Sequence, residues 1–272
     1  MKRLIYQVNV GKGSRLYDWC IESVRTYCEK HNIEHHVQTL PILKITPDPK
    51  TTGRSVEATA RLGYLPIYEK ENAFDLFPEY DQIAIIDSDI YIREDAPCIF
   101  DELNPDTDFA GVIESHMPCT PQYRRKIISY SQGQYGQLAK KVRWHFDKSG
   151  FEFYNMGLMV IQKSILKHLN GETPAQFIRR PEFKGFVDGI GKWKWSTDQT
   201  LLNYWVRQSG MKQQYLHWKW NGLFRGIDDR ALPICQFIHF FLKDKLPKRG
   251  EDVGELEKVV TGKKFKIDTY HR

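Results

Sequence analysis

Two aspartates separated by one residue, Asp87-Ser88-Asp89, follow directly on the apolar run Gln82-Ile-Ala-Ile-Ile86. A continuous apolar run this short reads as a strand covered on both faces. The acidic pair therefore falls at the carboxyl end of a buried strand, the edge at which open α/β sheets bind ligands. Two carboxylates held this close and half out of water repel each other and are costly to desolvate. A divalent cation removes that cost, and a hard oxygen donor set suits Mn2+ or Mg2+. Spacing alone does not make the site, because Asp106-Thr-Asp108 repeats the pattern. That second copy sits in a polar Asn-Pro-Asp-Thr-Asp stretch and reads as a turn.

Further along, residues able to do chemistry recur in short blocks. Phe153-Tyr-Asn155-Met-Gly157 leads into an apolar segment ending at Ile161. Ser196-Thr-Asp198-Gln199 opens a helical pattern after a Trp- and Gly-rich loop at 185–196. Ile238-His239-Phe240 closes another apolar stretch, with Lys245 following in a basic turn. Taken singly, each block has an ordinary structural reading. Asp198 fits a helix N-cap, His239 a satisfied histidine at a strand end, and Gly157 close strand packing. Trp193, Trp195, Trp218 and Trp220 read as buried aromatics or as a wall on which sugars stack. His31, His35 and His36 show no metal-ligand spacing.

The elements that must position these residues follow from periodicity. Residues 4–10 read as a buried strand, Leu16, Trp19, Cys20, Tyr27 and Cys28 recur at helical spacing, and 34–40 reads as a second strand. A β-α-β opening predicts parallel strands in an α/β sheet. Residues 46–53 form a Pro/Thr loop, and 55–68 a helix broken at Pro66. Further strands are expected at 82–86, 90–92, 109–113, 158–161 and 233–241, and helices at 163–169 and 198–209. Without internal repeat, low-complexity tract or linker, residues 1–272 read as one domain with an elaborated second half from about residue 116.

Composition sets the class. The chain has 272 residues, 41% hydrophobic and 27% charged, which excludes disordered and fibrous proteins. No stretch approaches the ~18–20 apolar residues of a membrane span. Gln7, Asn9 and the Gly11-Lys12-Gly13 turn interrupt any signal-peptide core. The cysteines at 20, 28, 98, 119 and 235 are odd in number and lack a CxxC pair, so free thiols in a reducing compartment, and a cytoplasmic location, are expected. A net charge of +6 is too mild for a nucleic-acid binder and suits a negatively charged small substrate.

The blocks together carry a resemblance. The segment from Arg61-Leu to Tyr80-Asp-Gln-Ile-Ala-Ile-Ile-Asp-Ser-Asp-Ile-Tyr-Ile92 resembles the DxD region of GT-A glycosyltransferases. It is most similar to the family-8 group that contains glycogenin and bacterial lipopolysaccharide galactosyltransferases. The Asn155-Met-Gly157 strand, the Asp198-Gln199 helix start with the Trp220-Asn221 turn, and the His239-Phe240 to Lys245 block follow in that group's order. The matches span about residues 55–247. The chain departs from the group at Leu242, where Gly is usual, at Leu246-Pro247 in place of Pro-Trp, and at Asn9, where an Asp near the uracil is usual.

The resemblance implies an α/β, Rossmann-like GT-A fold with a mostly parallel central sheet flanked by helices. Its nucleotide-binding half would span about 1–115 and its acceptor-side half about 116–272. It implies metal-dependent transfer of a sugar, a hexose, from a nucleotide-diphosphate sugar with uracil as its base. The acceptor would be a glycan, glycolipid or protein, and retention is favoured over inversion. Asp87, Asp89 and His239 would hold the metal; Asn9, Arg61, Asp87, Ser88, Gly157 and Lys245 the donor; Asp198, Asn155 and Gln199 would be catalytic. A cation held by two carboxylates is net neutral, so a leaving diphosphate needs further positive charge, which Lys245 would bring. No nucleic-acid partner is expected, and without a membrane span any membrane association would be peripheral.

Two other readings compete. Gly11-Lys-Gly13-Ser-Arg15-Leu16 resembles the phosphate loop of sugar-nucleotide pyrophosphorylases, which are sugar-1-phosphate nucleotidyltransferases. The Pro-Lys those enzymes carry downstream is absent, since 17–30 reads as uninterrupted helix. A non-catalytic sugar- or nucleotide-binding module has no need of an acidic pair beside a buried strand. Finally, residues 120–150 hold Arg124, Arg125, Lys126, Lys140, Lys141, Arg143 and Lys148 against Asp147 alone, interleaved with Tyr123, Tyr130, Tyr135 and Trp144. The stretch reads as a basic helix pair, either simply solvated or bordering the cleft and steering a polar or anionic acceptor.

Overall fold

A computed structural model describes residues 1–11, 13–60 and 62–261. Its strands are β1 (Arg3–Val8), β2 (Glu34–Gln38), β3 (Gln82–Ile86), β4 (Ile90–Ile92), β5 (Phe109–Ile113), β6 (Phe146–Asp147), β7 (Gly150–Phe151), β8 (Tyr154–Gln162), β9 (Gln213–Tyr215), β10 (Gly222–Leu223) and β11 (Phe237–His239). A six-stranded sheet runs in the order β2-β1-β3-β8-β5-β9. β1 pairs in parallel with β2 and β3, and β5 with β9; β8 alone runs antiparallel, wedged between β3 and β5. The sheet is mostly parallel with flanking helices, and β3 and β5 are buried along their whole length.

The opening β-α-β unit forms for the reasons the sequence gives. Ser14 caps the helix Arg15–His31, its Oγ accepting from the Tyr17 N–H at 3.2 Å. Asn32 ends the helix in the left-handed region at φ 53. Leu16, Cys20, Val24, Tyr27 and Cys28 form its buried face.

Several elements differ from expectation. Pro66 begins a helix rather than breaking one: it is the first residue of a 3-10 helix, Pro66–Leu76, where its missing N–H costs nothing. Among the described residues of 55–65, only Glu57–Ala60 is helical. In 233–241 only β11 is strand, because Asp229–Ile234 forms a 3-10 helix around Pro233, which cannot donate to a ladder. Residues 163–169 divide into a 3-10 turn, Lys163–Ile165, and the short helix Leu166–Leu169. The basic stretch is one helix, Pro121–Tyr135, followed by a 3-10 turn, Leu138–Lys140, and the β6–β7 hairpin.

Two features of topology aim at one edge. A second sheet, β10-β11-β4, sets β4 antiparallel to β11 with His239 opposite Ile90. In β8 the register against β5 jumps from Met159 opposite Gly111 to Asn155 opposite Val112. That irregularity frees Met156 and Gly157 from β5 at the carboxyl end of β3, the usual setting of a bulge beside a site. The decoy pair lies at the other end. Asp108 precedes β5 and is buried, accepting hydrogen bonds from Ser164 Oγ (2.6 Å), Lys167 Nζ (2.8 Å) and the Lys212 N–H (2.9 Å). Its role is to anchor the chain, beyond the turn that the sequence suggests. Among the described residues no helix is long and apolar enough to cross a membrane.

Candidate functional site

β3 ends at Ile86 and β4 begins at Ile90, so Asp87-Ser88-Asp89 is the link between the two sheets. The link is fastened by its backbone. The Asp87 N–H donates to Gly157 O at 2.8 Å, the Ile90 N–H to Asp87 O at 3.1 Å, and the Phe240 N–H to Asp89 O at 2.9 Å. Ser88 Oγ donates to Val8 O at 2.6 Å. These bonds leave both carboxylates facing His239, whose Nε2 lies 3.1 Å from Asp89 Oδ1 and 3.7 Å from Asp87 Oδ2. Gly157 makes the room: a Cβ there would stand 2.3 Å from His239 Cε1.

One ligand atom from each of Asp87, Asp89 and His239 falls within 4.8 Å of the others. Two carboxylates and an imidazole form a donor set that fits a hard divalent cation. Burial works against the charge on Asp89, but His239, by charge and hydrogen bond, outweighs it and holds the carboxyl below its ordinary range. Burial likewise disfavours the imidazolium of His239, and Asp89 and Asp87 reverse that and raise its pKa.

Lys70 is the central cation of the site, and the sequence did not mark it. It projects from the 3-10 helix one turn after Ile67, as the three-residue period of that helix requires. Its Nζ lies 2.8 Å from Asp87 Oδ1, 2.6 Å from Asp198 Oδ2 and 3.1 Å from Met156 O. Burial opposes the ammonium, and Asp198 and Asp87 overcome it, raising its pKa. For Asp198, burial raises the carboxyl pKa, Lys70 opposes that, and Asp87 adds to it. Asp198 is not the N-cap: Thr197 holds that position, its Oγ1 accepting from the Gln199 N–H at 3.2 Å, and Asp198 is the first helical residue. Behind them Glu71 is buried with neither carboxylate oxygen hydrogen-bonded among the described residues; burial first, then Asp198, pushes its pKa well up.

The amides form a second layer. Asn155 Nδ2 donates to Glu114 Oε2 at 2.8 Å, and its Oδ1 accepts from Gly157 N–H (3.1 Å) and Asn221 Nδ2 (2.9 Å). Asn221 Oδ1 lies 3.1 Å from His239 Nδ1. Tyr123 donates its hydroxyl to Glu114 Oε1 at 2.5 Å, and burial raises the Glu114 pKa. Gln199 Oε1 accepts from the Met156 N–H at 3.2 Å, and its Nε2 donates to Tyr130 at 3.3 Å.

Nine expected site residues, Asn9, Asp87, Ser88, Asp89, Asn155, Gly157, Asp198, Gln199 and His239, line one cleft of about 680 Å3. Lys245 is not among its lining residues and is exposed in the turn Lys243–Lys245. The cation nearer the cleft is Lys243, which donates to the Tyr17 hydroxyl and sits 4.0 Å over that ring; Tyr17 is a lining residue. Arg61 lies outside the described residues. Of the four tryptophans only Trp195 lines the cleft. Trp193 stands edge-on to Phe186, Trp220 is buried against Phe237, and Trp218 packs on His217. Among the described residues of the glycine loop, Gly11, Gly13 and Arg15 do not line the cleft, so the nucleotidyltransferase reading gains no support.

Three site residues escaped the sequence reading. Lys70 sits between Glu69 and Glu71, and a charged triplet looks solvent-facing. Asn221 lies within a block already singled out, without a role attached. Glu114 follows a five-residue apolar strand just as Asp87 does, and that parallel was the available signal.

The order of the sheet, the acidic link after β3 and the histidine returned to it by a second small sheet define a GT-A type of α/β fold. No protein-family model and no curated protein matches the chain. Among solved structures it is similar to the galactosyltransferase LgtC in complex with donor and acceptor sugar analogues, at 12% identity over 95% of each chain with a TM-score of 0.52. It is similar too to mouse xyloside xylosyltransferase 1, at 10% identity over 91% of this chain and all of that one, TM-score 0.51. A third likeness is to the bifunctional glycosyltransferase WbbM, at 14% identity and TM-score 0.52, over 88% of this chain but 46% of WbbM.

Proposed function

We propose that the chain is a metal-dependent glycosyltransferase that moves a hexosyl group from a UDP-sugar to a glycan, glycolipid or protein acceptor, with retention of configuration. The observation that carries this reading is the Asp87–Asp89–His239 cluster inside the cleft that also holds Asp198 and Lys70. The likeness of the fold to glycosyltransferases supports it.

Bound by Asp87, Asp89 and His239, Mn2+ or Mg2+ supplies positive charge toward a leaving diphosphate. The protein's own groups do the rest. Asp87, Asp89 and Asp198 together offset the charge of the cation and of Lys70, so Lys243 would contribute the additional field. Asn9 and Ser88, which line the cleft, would contact the nucleotide, and Gly157 gives up its side chain so that the imidazole of His239 fits. Asn155 acts through others, orienting Glu114 and Asn221. Gln199 and Asp198 face the sugar from the start of the helix Asp198–Gln208. Asp198 is already paired with Lys70, which leaves it poorly placed to take an acceptor proton and favours retention.

The five free cysteines support a reducing, cytoplasmic setting. Incubating the protein with a panel of nucleotide sugars and Mn2+, and measuring nucleoside diphosphate release, tests the reading. Release of UDP from one donor, abolished by Asp89→Ala, is expected. Pyrophosphate-dependent turnover, or none from any nucleotide sugar, would refute it.

A further inference from the structure

Residues 115 to 146 contain no Asp or Glu and carry Arg124, Arg125, Lys126, Lys140, Lys141 and Arg143. The chain has 40 Lys and Arg against 34 Asp and Glu, so setting these six aside leaves 34 of each sign. The whole formal surplus of +6 therefore resides in one segment. A charge distribution this uneven creates a local field rather than a general one.

One face of the segment borders the cleft, and of its six cations Lys126 is the one that lines it. Its helix, Pro121–Tyr135, offers Tyr123, Lys126, Ile127 and Tyr130 to the cavity at helical spacing i, i+3, i+4 and i+7. Tyr123 and Ile127 are buried, whereas Lys126 is exposed and has no ion-pair partner among the described residues. The other cleft cation is committed, because Lys70 is held by Asp87 and Asp198. Trp195 lines the same cavity with 70% of its surface exposed. Lys194 Nζ stands 5.2 Å over one face of this indole, and the other face, left to the cleft, is flat and apolar, for which the C–H face of a pyranose is the natural complement.

We propose that this wall is the acceptor subsite and that the acceptor is an anionic saccharide, a sugar bearing a carboxylate or phosphate, with its ring on Trp195 and its charge at Lys126. The inference rests on the glycosyl-transfer reading above and names the substrate class of that site. A lysine is a point charge and accepts either anion. A membrane or other extended polyanion would be met by exposed cations anywhere on the surface. A lysine lining the reaction cleft selects on the molecule that enters it.

The test uses methyl glucoside and methyl galactoside, each paired with its uronate and its 6-phosphate. Binding is measured by NMR titration and transfer by kcat/KM with the donor found in the panel. The readout is the anionic-to-neutral ratio within one protein preparation, so any general loss of fold or donor binding cancels. In the wild type the ratio is expected to be about fivefold or more, falling as salt screens exposed charge. Lys126→Ala should bring it toward one and Lys126→Glu should invert it. Trp195→Ala should weaken both members of a pair alike. A larger ratio for uronates or for phosphates identifies which anion is meant. A wild-type ratio near one, or one that survives Lys126→Ala, overturns the proposal. So does a ratio near one accompanied by sedimentation on phosphatidylglycerol vesicles, which assigns the segment to a membrane surface. A binding preference without transfer to any of these acceptors overturns the acceptor role of the wall, whereas the transferase reading fails separately, by the absence of nucleoside diphosphate release from every donor, so the two failures are distinguishable.

Discussion

Asn221 holds its Oδ1 3.1 Å from Nδ1 of His239, and the polarity of that contact is dictated by the backbone of Gly157. The Gly157 N–H can only donate, and it donates to Asn155 Oδ1. Asn221 must therefore turn its NH2 to the same oxygen, at 2.9 Å, and its own oxygen to the imidazole. By this assignment Nδ1 carries the proton and Nε2 is directed at Asp89 and Asp87. A ligand histidine oriented by a second hydrogen bond is a tuned one.

Removing that orientation should weaken the metal site more than the fold. Asn221→Leu is expected to lower Mn2+ affinity by about 10–100-fold, read by electron paramagnetic resonance of free Mn2+. Asn221→Asp keeps an acceptor for Nδ1 but sets an oxygen against Asn155 Oδ1, so it should lose stability yet retain more of the affinity than the leucine variant. In metal-free protein the Nδ1–H of His239 should lose its hydrogen-bonded shifts in the leucine variant and keep a hydrogen-bonded Nδ1–H in the aspartate variant. Equal loss in both variants would remove the orientation argument.

Gly157→Ala tests the same ring from the other side. The added methyl would come within 2.3 Å of His239 Cε1 and 2.8 Å of Nδ1, so the imidazole must leave Asp89. Overpacking of this kind costs about 1–3 kcal/mol. A folded protein with a lowered melting temperature and no Mn2+ binding is expected. Unchanged binding would mean that His239 is not a ligand.

Lys70→Met breaks a buried triad and leaves Asp87 and Asp198 without their shared counter-ion. Stripping one partner from such a group typically costs about 3–5 kcal/mol. Urea unfolding should show a loss of that order, and Mn2+ should restore part of it, since a cation at Asp87 substitutes for the ammonium. A variant as stable as the wild type, with no added response to Mn2+, would deny Lys70 this role.

How much of this was legible depends on the range over which each feature is encoded. β3 and its acidic link were legible because a short apolar run followed by carboxylates is a local pattern. The return of His239 was legible only through the order of blocks, since its approach to Asp89 depends on β4 pairing with β11, far apart in the chain. Lys70 was not legible: nothing local distinguishes a lysine buried between two aspartates from a solvated one flanked by glutamates. The N-cap shifted by one residue because Thr197 and Asp198 are both good caps, and Lys70 claims the aspartate. Lys245 stands apart from the lining because two lysines flank Asp244, and the turn carries Lys243, not Lys245, to Tyr17.

Asp108 gives a pH prediction remote from the site. Burial raises its carboxyl pKa, but hydrogen bonds from Lys167, Ser164, the Lys212 N–H and His168 outweigh it and hold the carboxyl well below its ordinary range. A carboxyl depressed in the folded state contributes stability that is full above its unfolded pKa, about 3.9, and is lost as pH falls through and below that value. Urea unfolding of the wild type should therefore weaken steeply below about pH 4. Asp108→Asn should be less stable at pH 7 and should show a flatter decline in acid. Parallel pH profiles for the two proteins would show that Asp108 is not linked to folding.

The stereochemical outcome turns on Asp198. An inverting transferase needs a carboxylate free to take the acceptor's proton on the face opposite the leaving group, and loss of such a base costs about 10²–10⁴-fold. Asp198 is buried and its Oδ2 lies 2.6 Å from the ammonium of Lys70, so that oxygen faces a cation rather than an incoming hydroxyl. Neutralising it as Asp198→Asn keeps the shape and removes the charge that balances Lys70. A retaining enzyme should then lose about tenfold in turnover, through the altered field at Asp87, and keep measurable activity. The Lys70→Met, Asp198→Asn double variant should be less impaired than the sum of the two changes, because each single change strands the other partner. Proton NMR of the product within minutes of its formation should show the anomeric configuration of the donor. An inverted product, or additive losses with turnover abolished by Asp198→Asn, would make Asp198 the general base and reverse the assignment.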